Sequence, residues 1–216
     1  MHIIHRYLAI VVAILPCIAG LVRFRRLGKT YQPLFFMFLA GLATEIIAAY
    51  LANFRRNNAV VYNTYALLEW ILIFWQFRVW GFFHVRKEIV YTILAIPCLL
   101  WIAENLIFGK MDNFSPYFRI FACFNIVLFS VNKINFMITH ENRKLLGHPE
   151  FLICIGFIIY FIYDIVYEWA YQSSVHGATE ITSDIILLFG YINALTNIIF
   201  AIAFLRIPSP KKLTLW

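Results

Sequence analysis

Charge is what this 216-residue chain has least of: Asp, Glu, Lys and Arg make up 13% of it, against roughly 25% in soluble domains. The apolar set reaches 62% and the mean hydropathy is +0.77. A soluble globule, a disordered tail and a coiled-coil rod are excluded by that balance. Cysteine is also sparse. Cys17, Cys98, Cys123 and Cys154 all lie in apolar runs and never pair as CxxC, so no thiolate zinc site or disulfide frame can be read from them. There is no Gly-rich phosphate loop, GxSxG elbow or HExxH pair, and the six histidines fall near span ends or in loops.

What the chain has instead is seven apolar stretches, about 7–22, 33–52, 60–80, 89–108, 116–138, 151–171 and 183–205. About twenty helical residues cross one bilayer core, so the expectation is an all-α membrane protein, a single polytopic seven-helix bundle. Pro33 and Pro116 open the second and fifth stretches, where a missing N–H costs nothing. Pro16 and Pro97 lie inside spans, which neighbouring helices tolerate in a membrane. The first stretch is short enough to raise a signal peptide. Arg23, Arg25, Arg26 and Lys29 follow it while only Arg6 precedes it, the reverse of a cleaved signal, so it reads as a retained helix.

The net charge of +7 would suggest nucleic acid in a soluble protein. Here the cations sit in short loops. Twelve Lys and Arg fall on one side (Arg23 to Lys29, Arg78 to Lys87, Arg143 and Lys144, Arg206 to Lys212) and four on the other (Arg6, Arg55, Arg56, Lys110). That asymmetry places the N-terminus outside and the C-terminus in the cytoplasm of a cell membrane, with the bilayer rather than nucleic acid as the partner.

Carboxylates inside the spans carry the functional signal. Glu45, Glu69, Glu104, Asp164, Glu168 and Asp184 are intramembrane, and each would cost about 2.5–3.5 kcal/mol facing lipid at mid-depth. Helical phase groups them with tyrosines. Tyr62, Tyr65, Glu69 and Gln76 share an arc of about 60° on the third span, and Tyr160, Tyr163, Asp164, Tyr167, Glu168 and Tyr171 one of about 140° on the sixth. Asp184 aligns with Tyr191 on the seventh, apart from the Asn193 and Asn197 stripe. Gly41 and Glu45 share a close-packing face on the second.

Six acids against one well-placed cation, Arg119, predict an outward-facing acidic and aromatic cleft holding a small ligand or cation. Glu69, Asp164 and Glu168 are the principal ligands, oriented by Tyr65, Tyr160 and Tyr167, with Glu45 and Asp184 behind them. Asp164, Glu168 and His176 form a weak metal candidate. Lys133, toward the inner end of the fifth span, is expected to snorkel. No cofactor is expected: a retinal Schiff base needs a lysine in mid-seventh span, and Gly190–Leu205 has none.

The function expected is a binding or sensing module acting through a cytoplasmic or membrane partner protein. The alternative is a proton- or cation-coupled carrier using Gln76, Asn125, Asn132 and Asn197 as stepping stones. An enzyme or a structural subunit ranks below both, for want of a nucleophile–base pair.

Overall fold

A computed structural model describes residues 2–54, 57–83, 86–109, 111, 114–140, 145–174 and 180–208. All regular structure among them is helical: α1 (His2–Val22), α2 (Phe24–Asn53), α3 (Ala59–Val79), α4 (Lys87–Ile102), α5 (Pro116–His140), α6 (Pro149–Ser174) and α7 (Glu180–Leu205). A π-helical turn, Ala103–Phe108, extends α4, and a 3-10 turn, Leu145–Gly147, precedes α6. Five of the helices are long and apolar enough to cross a membrane. The apolar part of α1 is the shorter stretch Ile10–Val22, and α3 is diluted by Asn63, Glu69, Gln76 and Arg78.

Successive helices run antiparallel. Tyr62 near the start of α3 meets Glu45 near the end of α2, and Lys133 late in α5 meets Glu150 at the start of α6. α1 packs between α2 and α7, α6 between α5 and α7, and α3 against α2 and α5, which closes a six-helix ring. α4 lies outside it, against α3 and α5. The end where α1 begins is the N-terminal face of the bundle, and the opposite end the C-terminal face.

The bundle has an apolar perimeter, and a minority of polar side chains is buried within a mostly hydrophobic core. Its perimeter exposes Trp75, Leu99, Ile107, Phe124 and Ile198, while Asn63, Gln76, Asn105, Ser130, Asp164 and Thr196 are buried. In water the exposed apolar area would be an aggregation hazard; against acyl chains it costs nothing. In the C-terminal half the ring is filled by phenylalanines, with Phe38–Phe200 at 5.0 Å, Phe38–Phe204 at 5.7 Å, Phe157–Phe200 at 5.4 Å and Phe77–Phe129 at 5.6 Å between centroids. Gly156 makes room for this packing, since a Cβ there would meet the Phe200 ring at 2.5 Å.

Pro116 opens α5 as expected, but Pro33 does not open α2. That helix starts nine residues earlier and is broken at Gly28 (φ 53°, ψ −171°), a left-handed conformation that favours glycine. Gln76 of α3 supports the stretch after the break. Its Oε1 accepts from the Leu34 amide at 3.0 Å and its Nε2 donates to the Thr30 carbonyl at 2.6 Å. These are the two groups that a regular helix would pair with each other.

Lys133 also departs from expectation. It does not snorkel to the interface; it is buried, pairs with Glu150 at 2.9 Å and lies 5.8 Å from the Trp80 ring centroid. A carboxylate in the first turn of α6 and an aromatic face supply inside the bundle what water would supply outside it.

Candidate functional site

A cavity of about 110 Å³ lies within the ring, walled by α1, α2, α3, α6 and α7. It sits near mid-depth. Glu69, on its wall, is the eleventh of the 21 residues of α3. Phe38, Phe157 and Phe200 border it toward the C-terminal face and Phe189 toward the N-terminal face. The expected hollow was an outward-facing cleft lined by acids and tyrosines. The one found is deeper, with seven aromatic residues and two carboxylates among the sixteen that line it.

Two carboxylates line it, Glu45 from α2 and Glu69 from α3. Each is held by a tyrosine of α3. Tyr65 Oη donates to Glu69 Oε1 at 3.0 Å, one turn along the same helix, and Tyr62 Oη to Glu45 Oε2 at 3.4 Å. Gly41 allows the first of these, because a Cβ at that position would stand 2.8 Å from Tyr65 Oη. The close approach expected of the small-residue face on α2 thus accommodates a polar hydroxyl.

Asp164 and Glu168 do not line the cavity. They lie one turn apart on α6, 1% and 2% exposed, and both engage Arg119 of α5. The guanidinium Nε contacts Glu168 Oε1 at 2.8 Å, and Nη2 reaches both Asp164 oxygens at 3.3–3.4 Å. The Cys123 thiol donates to Asp164 Oδ2 at 3.3 Å. One cation therefore serves two anions toward the N-terminal face. Among the described residues no Lys, Arg or His pairs with Glu45 or Glu69.

The remaining expected site residues divide. Tyr160 borders the cavity and packs on Phe161 and Phe189. Tyr167 stacks on Phe189 at 4.7 Å, forming with Tyr163 an aromatic group beside it. Glu104 lies elsewhere: its carboxylate accepts from the backbone N–H groups of Tyr117 (3.2 Å) and Phe118 (2.8 Å), in the first turn of α5. There it satisfies donors that a helix start leaves open.

Asp184 and Tyr191 are exposed on the outer surface of α7. That helix carries two polar stripes, and the inward one is Asn193, Thr196 and Asn197, spaced i, i+3, i+4. Asp184 precedes the apolar window Leu187–Leu205, where exposure is cheap, whereas amides deep in that window are costly to show to lipid. Asn197 Nδ2 donates to the Asn193 carbonyl and Oδ1, both at 2.8 Å, so the pair is satisfied within α7 rather than across helices.

Of the stepping stones, Gln76 is engaged by α2, Asn125 donates to its own helix at Phe121 O, and Asn132 is exposed. Of the metal candidate, His176 lies outside the described residues, and Asp164 and Glu168 are occupied by Arg119. No group of three His, Cys, Asp or Glu positioned to hold a metal ion occurs among the described residues.

A second polar group went unanticipated. Asn63 Nδ2 donates to Asn105 Oδ1 at 3.0 Å and to Met111 O, Ser115 Oγ donates to Asn105 Oδ1 at 2.6 Å, and Trp101 Nε1 donates to Asn63 O. It ties α3, α4 and the start of α5. The π-helical turn sends Glu104 and Asn105, adjacent in sequence, to these two separate inward tasks.

No family model, curated protein or solved structure matches the chain.

Proposed function

We propose that the chain is a multi-pass membrane protein, N-terminus outside and C-terminus in the cytoplasm, whose cavity binds a small cation and signals occupancy to a partner protein. One observation carries this reading. Glu45 and Glu69 face a shared cavity with tyrosine hydroxyls as their donors, while the nearby arginine is taken by two other acids. Two carboxylates sharing one mostly apolar cavity cannot both stay ionised without compensation. A bound cation supplies it. Occupancy would draw α2 and α3 toward a common charge, and the basic loops of the cytoplasmic side offer a docking surface for the partner.

A carrier would use the same carboxylates, but the phenylalanine packing beneath them would have to part in every cycle. Binding without passage fits that packing better. The test is a thermal-unfolding titration of the detergent-purified protein with a panel of small inorganic and organic cations at constant ionic strength. The expected result is a saturable rise in Tm that Glu69→Gln weakens at least tenfold, with no flux of the stabilising cation into proteoliposomes. No saturable rise with any cation overturns the reading, and substrate-driven flux replaces it with the carrier.

A further inference from the structure

We infer that the occupant of the cavity is a small methylated ammonium group rather than a bare metal ion; this rests on the cation-binding reading above and names its ligand class. The walls are the argument. Rings of Phe38, Tyr65, Phe157, Tyr160, Phe189 and Phe200 come from four different helices and surround the same space that Glu45 and Glu69 enter. A cation within about 6 Å of an aromatic face is attracted by the ring quadrupole, and several rings around one space form the cage that takes quaternary ammonium.

The oxygen supply points the same way. A hard divalent ion such as Ca²⁺ takes about six to eight oxygen ligands. Here two carboxylates enter the cavity, and among the described residues no group of three His, Cys, Asp or Glu is placed to hold a metal ion. The other oxygens lining it belong to neutral hydroxyls and amides, a poor exchange for the hydration shell of such an ion. A methylated ammonium has few or no N–H groups to satisfy and a weakly held hydration shell, so two anions among aromatic rings suffice.

Size agrees. The space is about 110 Å³, somewhat below the roughly 150 Å³ apolar cavity that accepts benzene, and so matched to a head of about five heavy atoms.

The probes are tetramethylammonium chloride, NaCl and CaCl₂, titrated separately against the thermal unfolding of the full-length protein in detergent at matched ionic strength. Tetramethylammonium is expected to reach half-maximal stabilisation at least tenfold below Na⁺ or Ca²⁺. Phe189→Leu and Tyr160→Leu are each expected to raise that concentration about fivefold, the size of one cation–π contact, and to leave any Na⁺ response unchanged. Equal or tighter response to Na⁺ or Ca²⁺, abolished by Glu69→Gln, overturns the ammonium assignment and leaves cation binding standing. A preference for tetramethylammonium that neither ring variant weakens also overturns it. No response of the wild-type protein to any of the three ends both.

Discussion

Arg119 is gripped by Asp164 and Glu168, two carboxylates spaced i, i+4 on α6 that are almost wholly withdrawn from the surface. Removing the guanidinium leaves both anions buried without their cation. Breaking such a pair from one side costs about 3–5 kcal/mol. Arg119→Gln is therefore expected to lower Tm in detergent sharply, whereas Arg119→Lys recovers part of it, since an ammonium cannot reproduce the forked contact to two separate carboxylates. An Arg119→Gln protein as stable as wild type would show that the triad contributes nothing. These residues were legible in the sequence because helical phase placed both acids on one arc and left one cation opposite them. Phase could not say which acids Arg119 would satisfy. Glu45 and Glu69 emerge as the cavity pair only once α5 is seen beside α6 rather than beside α2.

At the scale of the helix, the informative element is α2. The sequence reading starts it at Pro33, because proline at a helix start is the ordinary case. The chain continues through Pro33 because Gln76, on a neighbouring helix, bonds the Thr30 carbonyl and the Leu34 amide. Nothing local to α2 announces that help. Gln76→Leu is expected to cost about 2–4 kcal/mol by leaving two buried backbone groups unpaired, read as a drop in Tm and faster amide exchange over residues 29–35. Unchanged exchange there would remove Gln76 from the support of α2. The rotation of α7 was ambiguous for a related reason: two stripes each satisfied the periodicity, and only burial depth, unknown before the packing, chose Asn193 and Asn197 over Asp184 and Tyr191. The ends of α3 and α5, by contrast, fell within a residue or two of where the apolar runs stop.

For the molecule as a whole, composition and the length of the apolar runs announced an all-helical chain with helices apolar enough to cross a membrane, and the exposed apolar perimeter is what that composition requires. The sidedness read from Lys and Arg in the loops makes its own prediction. In a cysteine-free background, Asn57→Cys near the start of α3 is expected to react with a membrane-impermeant maleimide in intact cells, and Glu88→Cys near the start of α4 only after permeabilisation. The opposite pattern would invert the proposed orientation. What composition could not reveal is which helix stands outside the ring. Among the described residues α4 packs mainly on α3 and α5, fastened by the Asn63–Asn105–Ser115 group, while the six-helix ring that holds the cavity closes without it. It is an outrigger. None of its residues lines the cavity, yet it grips α3 at Asn63, two residues before Tyr65, so the flank farthest from the chamber is still bolted to one of its walls.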